Sequence, residues 1–441
     1  MTHAHFLARR RRLQALLGDG IAIIPTAPEV IRNRDAHYPY RPDSDFWYLT
    51  GFPEPEAVLV LVGGKRPRSI LFCRPKHLER EIWDGFRYGP TAAAKTFEFD
   101  AAYPIEQLTA RLPKLLANRE MLWHSLGVSP DWDQRLGKAL DTVRQHTRSG
   151  QRPPEKIHDL RTVLDALRSI KDAAEIEQMK TAAQLTSDAH CRAMKVCQPG
   201  MMEYALEAEL TYEFRRRGAD AHAYTPIVAG GSNACVLHYV ANNQTLKDGD
   251  LVLIDAGCEW KSYAADITRT FPVNGRFSAA QRDCYEIVLS AQQAAIEAIR
   301  PGVSFMAPHE AALRILVQGM LDLGLLKGTR DGLIESEAYK PFYMHRTSHW
   351  LGLDVHDVGP YKDTKGQWLT LVPGQVLTVE PGLYLRAGEG VPDALAGIGI
   401  RIEDDVRVTE TGAEVYTTAP KTVAEIEGLM GNYPRPPSSR G

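Results

Sequence analysis

Residues 251–271 read Leu251-Val-Leu-Ile-Asp255-Ala-Gly-Cys-Glu-Trp-Lys-Ser-Tyr-Ala-Ala-Asp266-Ile-Thr-Arg-Thr-Phe271. An apolar run, a polar turn and a second run of strand-forming residues predict a β-hairpin. If its turn is centred on Trp260 and Lys261, Asp255 and Asp266 lie directly opposite each other, with Cβ atoms about 5 Å apart. Two carboxylates at this short distance repel each other unless a cation lies between them or they share a proton. A capping aspartate and a surface aspartate would explain the pair equally well, so the hairpin alone leaves both interpretations open.

Three histidines follow within twelve residues, at His345, His349 and His356. Their spacing fits one face of a helix, but Gly352 between them favours a turn and extended chain instead. Histidine is the commonest metal ligand and carries protons near neutral pH. The cluster therefore predicts a metal-binding or acid–base role for at least one of the three.

Two glutamates interrupt runs that are otherwise apolar, Glu380 within 376–384 and Glu403 within 397–405. A buried carboxylate without a partner is costly, so each is expected to be paired or bound to a metal. Arg401 lies two residues before Glu403, on the same strand face, where it can orient an acid. An exposed ion pair between Arg401 and Glu403 would also explain Glu403, but it would not explain Glu380.

Four carboxylates and one imidazole are thus the candidate ligands: Asp255, Asp266, His349, Glu380 and Glu403. Such an oxygen-rich set suits a pair of adjacent divalent cations, manganese, cobalt or zinc, better than copper or iron–sulfur chemistry. A hydroxide bridging two cations is the expected product of such a site, which makes hydrolysis the expected reaction class.

Composition predicts an ordinary soluble protein of about two domains, because 441 residues are 44% hydrophobic and 24% charged. The net charge of −3 provides no field for nucleic acid or an anionic membrane. The basic run at residues 9–12 is followed by an apolar stretch that breaks at Gly18, too soon for a signal peptide. No stretch approaches the roughly 20 apolar residues of a membrane span. Six cysteines without a C-x-x-C pair indicate a reducing compartment, and we expect the cytoplasm.

Domain organisation follows from local patterns. Short apolar runs alternate with helical patterns over the first 150 residues, which predicts an α/β accessory domain over 1–168. A polar, proline-bearing stretch at 149–156 approaches the boundary. Capping boxes then begin two helices, at Asp172 and at Ser278. We expect a domain over 169–432 with helices packed outside a curved antiparallel sheet that holds the ligands, and a flexible tail over 433–441.

Four segments that contain the candidate ligands resemble the motifs of a known enzyme family. DAGCEWKSYAADITRTFP (255–272), HRTSHWLGLDVHDVG (345–359), LTVEPGLY (377–384) and GIGIRIEDD (397–405) resemble the metallopeptidases of the pita-bread fold, which include methionine aminopeptidase, prolidase and aminopeptidase P. The resemblance spans roughly residues 170–430. Residues 38–57 resemble the accessory domain of aminopeptidase P and of some prolidases, which methionine aminopeptidase lacks. The sequence of residues 348–359, SHWLGLDVHDVG, resembles bacterial aminopeptidase P more closely than it resembles the prolidases.

The resemblance implies an α/β accessory domain followed by a pita-bread catalytic domain with two divalent metal ions, of which manganese is expected first. The implied enzyme is a hydrolase that releases the N-terminal residue from peptides with proline second, by attack of a metal-bridging hydroxide on the Xaa–Pro bond. Asp255 would bind one metal, His349 and Glu380 the other, and Asp266 and Glu403 would bridge both. Glu380 would also carry the proton to the proline nitrogen.

Further roles are implied by the same resemblance. His238 and His356 match histidines that hold the substrate and the tetrahedral intermediate, although a hydrogen bond at a strand end would also explain His238. Asp35 and Trp83 match accessory-domain residues that reach a neighbour's active site, which implies a homo-oligomer, either a dimer or a tetramer. A further set is expected in the pocket wall or behind the ligands: His345, Tyr361, Tyr384 and Arg401.

Two alternatives stay open at this point. A prolidase would cut only Xaa-Pro dipeptides, and the shape of the cleft that excludes longer peptides is not encoded in residue spacing. A metal-free binding protein on the same fold is the other alternative. The complete set of five ligand positions argues against it.

Overall fold

The computed structural model describes residues 1–388 and 390–431, and the chain divides into two compact units, Met1–Arg168 and a second that begins at Ser169. The tail predicted over 433–441 lies outside the described residues. Each unit has its own sheets and helices.

The N-terminal unit is α/β, as predicted. Its main sheet has six strands in the order β6-β5-β4-β1-β7-β8, with both parallel and antiparallel neighbours. The strands are β1 (Ile21–Pro25), β2 (Ile31–Asn33), β3 (Ala36–His37), β4 (Val58–Val62), β5 (Arg68–Cys73), β6 (Ala101–Pro104), β7 (Met121–Trp123) and β8 (Lys156–His158). The helices are α1 (His3–Leu16), α2 (Ser44–Thr50), α3 (Leu78–Asp84), α4 (Gly89–Thr96), α5 (Leu108–Leu116), α6 (Pro130–Gln145) and α7 (Arg161–Ser169).

Alternate residues of the central strands build the core of this unit, since successive strand side chains point to opposite faces. One apolar cluster joins β1, β4 and β5 to the inner faces of α5 and α6. Ile23, Val60 and Phe72 are among its fully buried members. These three strands are among the short apolar runs that the sequence shows over its first 150 residues.

The C-terminal unit is α+β, and its paired strands are antiparallel, as predicted. They form several short sheets, ordered β10-β11-β14, β13-β12-β9, β15-β18-β19 and β16-β17. The strands are β9 (Ala221–His222), β10 (Ile227–Gly230), β11 (Leu251–Asp255), β12 (Cys258–Trp260), β13 (Tyr263–Ala264), β14 (Thr268–Pro272), β15 (Val376–Val379), β16 (Gly382–Leu385), β17 (Ile398–Arg401), β18 (Asp404–Val408) and β19 (Ala413–Val415). The helices are α8 (Ala173–Val196), α9 (Glu203–Arg216), α10 (Ala279–Ala298), α11 (Ala307–Asp322), α12 (Arg330–Glu335) and α13 (Val423–Gly431).

The long helices of this unit begin where their sequence signals indicate. The Asp172 carboxylate accepts the Glu175 N–H at 2.9 Å, and the Glu175 carboxylate accepts the Asp172 N–H at 3.0 Å, which closes the capping box of α8. Ser278 and Gln281 make the same reciprocal pair at α10. Phe214 of α9 is fully buried, and burial of a side chain of this size stabilises the fold by about 1.5–3 kcal/mol.

The predicted hairpin is present, but its register differs by two residues from the prediction. Asp255 pairs with Thr268 rather than with Asp266. The turn lies at Lys261 and Ser262, whose φ angles of 50° and 68° are the positive values that a tight type I′ turn requires. Because the shift is an even number of residues, both aspartates keep the same face of the sheet.

Gly257 is required in this hairpin because the opposite strand passes very close to it. A Cβ atom on Gly257 would lie 1.7 Å from the carbonyl oxygen of Ala265, which is backbone and has no freedom to rotate away. We expect Gly257→Ala to lower the free energy of unfolding by about 1–3 kcal/mol or more, measured by urea denaturation. Gly428→Ala in α13 is the control, because its Cβ would meet no atom within 4 Å. Equal stability of the two variants would contradict this account of the hairpin.

Candidate active site

A cavity of about 960 Å³ in the C-terminal unit is lined by all five predicted ligands. Asp255 ends β11, and Asp266 lies just before β14. Glu380 directly follows β15, and Glu403 lies between β17 and β18. His349 is next to Trp350, which bridges to β15 at Leu377. Strand ends thus bring together side chains that are up to 148 residues apart in the sequence.

The imidazole of His349 lies among the carboxylates. Its Nε2 is 3.3 Å from Oδ2 of Asp266 and 3.5 Å from Oε1 of Glu380. Its Nδ1 lies 2.9 Å from the carbonyl oxygen of Trp350, to which it donates, so Nε2 faces the acids. Ligand atoms of Asp266, His349 and Glu403 lie within 4.8 Å of one another. This compactness suits a metal ion.

Electrostatics give an independent test of that fit. Burial raises the pKa of Glu380 to about 7, with the charge of Asp266 adding to the rise and His349 opposing it. Burial, with the charge of Asp266, raises the pKa of Glu403 well above its usual range. Burial also raises the pKa of Asp255, although Arg401 opposes it. Burial and mutual repulsion oppose the simultaneous ionisation of these acids, and the positive charges of the protein do not offset this. Divalent cations would hold the acids ionised, so the donor set fits such ions.

Among these acids, the protonated form of the His349 ring is favoured. Burial by itself lowers the pKa of His349, but its hydrogen bond to Asp266 and the charge of Glu380 raise it to about 9. The same hydrogen bond lowers the pKa of Asp266 despite burial. The proton on Nε2 of His349 lies between the carboxylates of Asp266 and Glu380, where a metal ion bound to Nε2 would also lie.

Arg401 and Thr268 hold the outer acids in place. Arg401 donates to Oδ2 of Asp255 at 2.6 Å and to the Tyr384 hydroxyl at 3.0 Å. Thr268 donates to Oε2 of Glu403 at 2.6 Å. The simple ion pair between Arg401 and Glu403 is therefore wrong: both side chains are buried, and the arginine pairs across to β11 because Glu403 follows the end of β17.

Sequence reasoning missed Tyr224. Its hydroxyl lies 2.6 Å from Oδ1 of Asp255 and 2.5 Å from Oδ1 of Asp266, so it ties the two aspartates of the hairpin together. A single hydroxyl proton can be donated to one of them at a time. No motif identifies this tyrosine, which precedes β10. The pairing of Ile227 with Asp255 brings it to the site.

The predicted histidines surround the acids. His345 places Nδ1 3.8 Å from Oε2 of Glu380 and Nε2 2.8 Å from the Tyr384 hydroxyl. Burial lowers the pKa of His345 to about 3, so this ring is neutral. The His356 ring meets the His349 ring edge-on, with 4.5 Å between centres. His238 lines the cavity from an exposed turn, so the alternative of a hydrogen bond at a strand end does not describe it.

The remaining predicted residues divide into three places. Tyr361 lines the cavity, and its hydroxyl accepts the Trp350 N–H at 3.2 Å. Tyr384 is fully buried behind His345 rather than in the cavity wall. Asp35, in the turn between β2 and β3, and Trp83, 83% exposed on α3, lie on the surface of the N-terminal unit. Their role toward a neighbouring chain stays a prediction.

No helix among the described residues is long and apolar enough to cross a membrane.

Comparison with known proteins assigns the family. Residues 177–410 match the model of metallopeptidase family M24, and residues 6–123 match the N-terminal domain of aminopeptidase P. The Xaa-Pro aminopeptidase of Escherichia coli is 46% identical, over 98% of both chains. The structure of Pseudomonas aeruginosa aminopeptidase PepP superposes with a TM-score of 0.96 at 50% identity, over 98% of both chains. Zn-substituted E. coli aminopeptidase P in complex with product superposes with a TM-score of 0.96 at 45% identity, over 99% of this chain and 100% of that one. The chain therefore belongs to the aminopeptidase P group of metallopeptidase family M24.

Proposed function

We propose that this peptidase releases the N-terminal residue from peptides that carry proline in second position. The observation that carries the proposal is the convergence of all five ligand-type side chains on one cavity in a chain that matches an Xaa-Pro aminopeptidase along almost its whole length. The structure of a relative with product supports a peptide as the ligand of this cavity.

Two divalent metal ions are proposed as the cofactor, with manganese first and cobalt or zinc as the other candidates. Asp255 would hold one ion, His349 and Glu380 the other, and Asp266 and Glu403 would contact both. When bound, the ions supply an activated water and polarise the carbonyl of the bond to be cut.

The protein's own residues account for orientation and proton transfer. Cleavage of the Xaa–Pro bond requires a proton on the proline nitrogen, because the ring nitrogen is the leaving group. Glu380 lies 3.5 Å from His349 and 3.8 Å from His345, and we assign it to take the proton that the attacking water loses and to pass it to this nitrogen. His238 and His356 are assigned to hold the substrate and the tetrahedral intermediate. Burial and the neighbouring His349 lower the pKa of His356, so it donates hydrogen bonds as a neutral ring.

Substrate length distinguishes this proposal from a prolidase. A prolidase must bind the free carboxylate that directly follows proline, close to the reacting bond, but the arginine buried beside the candidate ligands, Arg401, is engaged by Asp255 and Tyr384. We expect a higher kcat/KM for an Xaa-Pro-Yaa tripeptide than for the Xaa-Pro dipeptide, and no cleavage of the N-acetylated tripeptide. A clear preference for the dipeptide would reassign the chain as a prolidase and leave the fold and the ligands unchanged.

His238→Ala tests the difference between a substrate contact and a metal ligand. We expect the metal content to stay at the wild-type value while kcat/KM falls about 10²–10³-fold, as after loss of one transition-state donor. His146→Ala, on the surface of the N-terminal unit, is the matched control and should leave both quantities unchanged. Loss of metal from the His238 variant would show that its role is misassigned.

Cytoplasmic location and assembly into a homo-oligomer are also part of the proposal. The six cysteines form no disulfide in the described residues, and burial raises the pKa of most of their thiols, which suits a reducing compartment. Homo-oligomerisation rests on Asp35 and Trp83, whose exposure leaves them accessible to a second chain. The near-neutral net charge supports small peptides rather than nucleic acid as partners.

A further inference from the structure

Two arginines among the described residues line the cavity, and of these only Arg401 pairs with a described carboxylate. Arg401 is buried and donates to Asp255, Tyr384 and Thr268. Arg346 is exposed at the edge of the cavity, and no carboxylate among the described residues forms an ion pair with its guanidinium. Arg346 is therefore the lining cation that is available to an anionic group of a ligand.

An indole ring positions this cation. The guanidinium carbon of Arg346 lies 4.8 Å from the centre of the Trp368 ring, and Nζ of Lys362 lies 4.4 Å from the same centre. A cation–π contact restrains the guanidinium without using its N–H groups, so these remain free for a planar carboxylate. Lys362 adds a second positive charge that pairs with no described carboxylate. Two positive charges thus meet at the Trp368 ring, and one of them, Arg346, lines the cavity.

Arg346 is close in the chain to the residues of the candidate reacting centre. Arg346 directly follows His345, whose Nδ1 lies 3.8 Å from Glu380. Its backbone is therefore close to the ligand residues, while its side chain is exposed to solvent. An aminopeptidase that accepts peptides of several residues must let the carboxyl end of the substrate reach solvent, so we place that end at the exposed edge with Arg346. Each further residue moves the carboxylate by roughly 3.3 Å, so only short peptides keep that group near this edge.

We propose that Arg346, positioned by Trp368, binds the terminal carboxylate of short substrates and makes the enzyme favour Xaa-Pro-Yaa tripeptides with a free carboxylate. This inference rests on the proposed function and specifies its preferred substrate length. Because the pair is exposed to solvent, the preference over a blocked carboxylate is roughly two- to fivefold. It declines at high salt, which screens exposed charges.

The test compares kcat/KM for one Xaa-Pro-Yaa tripeptide and its C-terminal amide in the metal-loaded enzyme. We expect the wild type to favour the free acid roughly two- to fivefold and Arg346→Gln to cut both peptides equally. Arg346→Lys should retain part of the preference, since it keeps the charge but not the bidentate geometry. Arg300→Gln is the matched control: it removes an arginine of the same unit that does not line the cavity and should keep the wild-type ratio.

The ratio of the two rates is measured within each protein, so a lower fraction of folded or metal-loaded enzyme does not change it. Equal rates for acid and amide in the wild type, or a preserved preference in Arg346→Gln, would overturn the inference while Xaa-Pro cleavage itself continued. Failure to cut the Xaa-Pro bond in either peptide would overturn the proposed function and this inference together.

Discussion

Replacing Asp266 or Glu403 with alanine is expected to remove metal binding and turnover together. Both carboxylates lie within 4.8 Å of the ligand atoms of His349, and both are assigned to contact two ions, so each variant loses a shared ligand. We expect the loss of kcat/KM to exceed the roughly 10²–10³-fold that follows removal of one transition-state donor. Metal content by atomic spectroscopy and kcat/KM on an Xaa-Pro-Yaa peptide are measured on the same samples.

Thermal stability separates this outcome from simple misfolding. Burial and the charges of Asp266 and Glu380 raise the pKa of Glu403, so this carboxyl must take up a proton in the metal-free fold, and removing the group removes that cost. Glu403→Ala should therefore melt no lower than the wild type without metal. Added Mn²⁺ should raise the Tm of the wild type only, since a ligand that binds the folded state stabilises it by about 2.7 kcal/mol at 100 times its Kd.

Asp331→Ala is the matched control, because the ion pairs that this exposed aspartate forms within the described part of the chain are with surface arginines outside the cavity. It should keep both the metal and the activity. Wild-type metal content together with full turnover in either ligand variant would contradict the assignment of the bridging carboxylates.

The five side chains that converge on the cavity could be singled out from the sequence because each is a charged or polar side chain in a short segment that otherwise predicts buried strand; their role as metal ligands stays a prediction. Burial of such a group requires a partner, and this requirement is local information. The capping boxes at Asp172 and Ser278 were predictable for the same reason, since both members of each box lie within four residues.

The register of the hairpin was not predictable to the residue. Lys261 and Ser262 adopt positive φ angles, although neither belongs to the Asn-Gly or Asp-Gly pairs that usually mark a type I′ turn. The prediction therefore centred the turn one residue too early, which shifted the pairing of Asp255 by two. The shared face of the two aspartates survived because strand side chains alternate with a period of two.

Contacts between residues far apart in the chain could not be predicted from the sequence. Tyr224 contacts aspartates 31 and 42 residues away, and Arg401 contacts an aspartate 146 residues away. These contacts depend on which strands become neighbours, as β10 does with β11, and no local pattern encodes that choice. Asp35 and Trp83 stay predictions for a related reason, because their proposed role involves a second chain.

Removal and return of the metal tests the central claim most directly, that Xaa-Pro cleavage depends on ions held by Asp255, Asp266, His349, Glu380 and Glu403. The protein is depleted with EDTA, titrated with Mn²⁺, and assayed at each point for bound metal per chain and for release of the first residue from an Xaa-Pro-Yaa peptide. We expect activity to vanish on depletion and to return as binding approaches about two ions per chain. Full activity in metal-free protein would contradict the account.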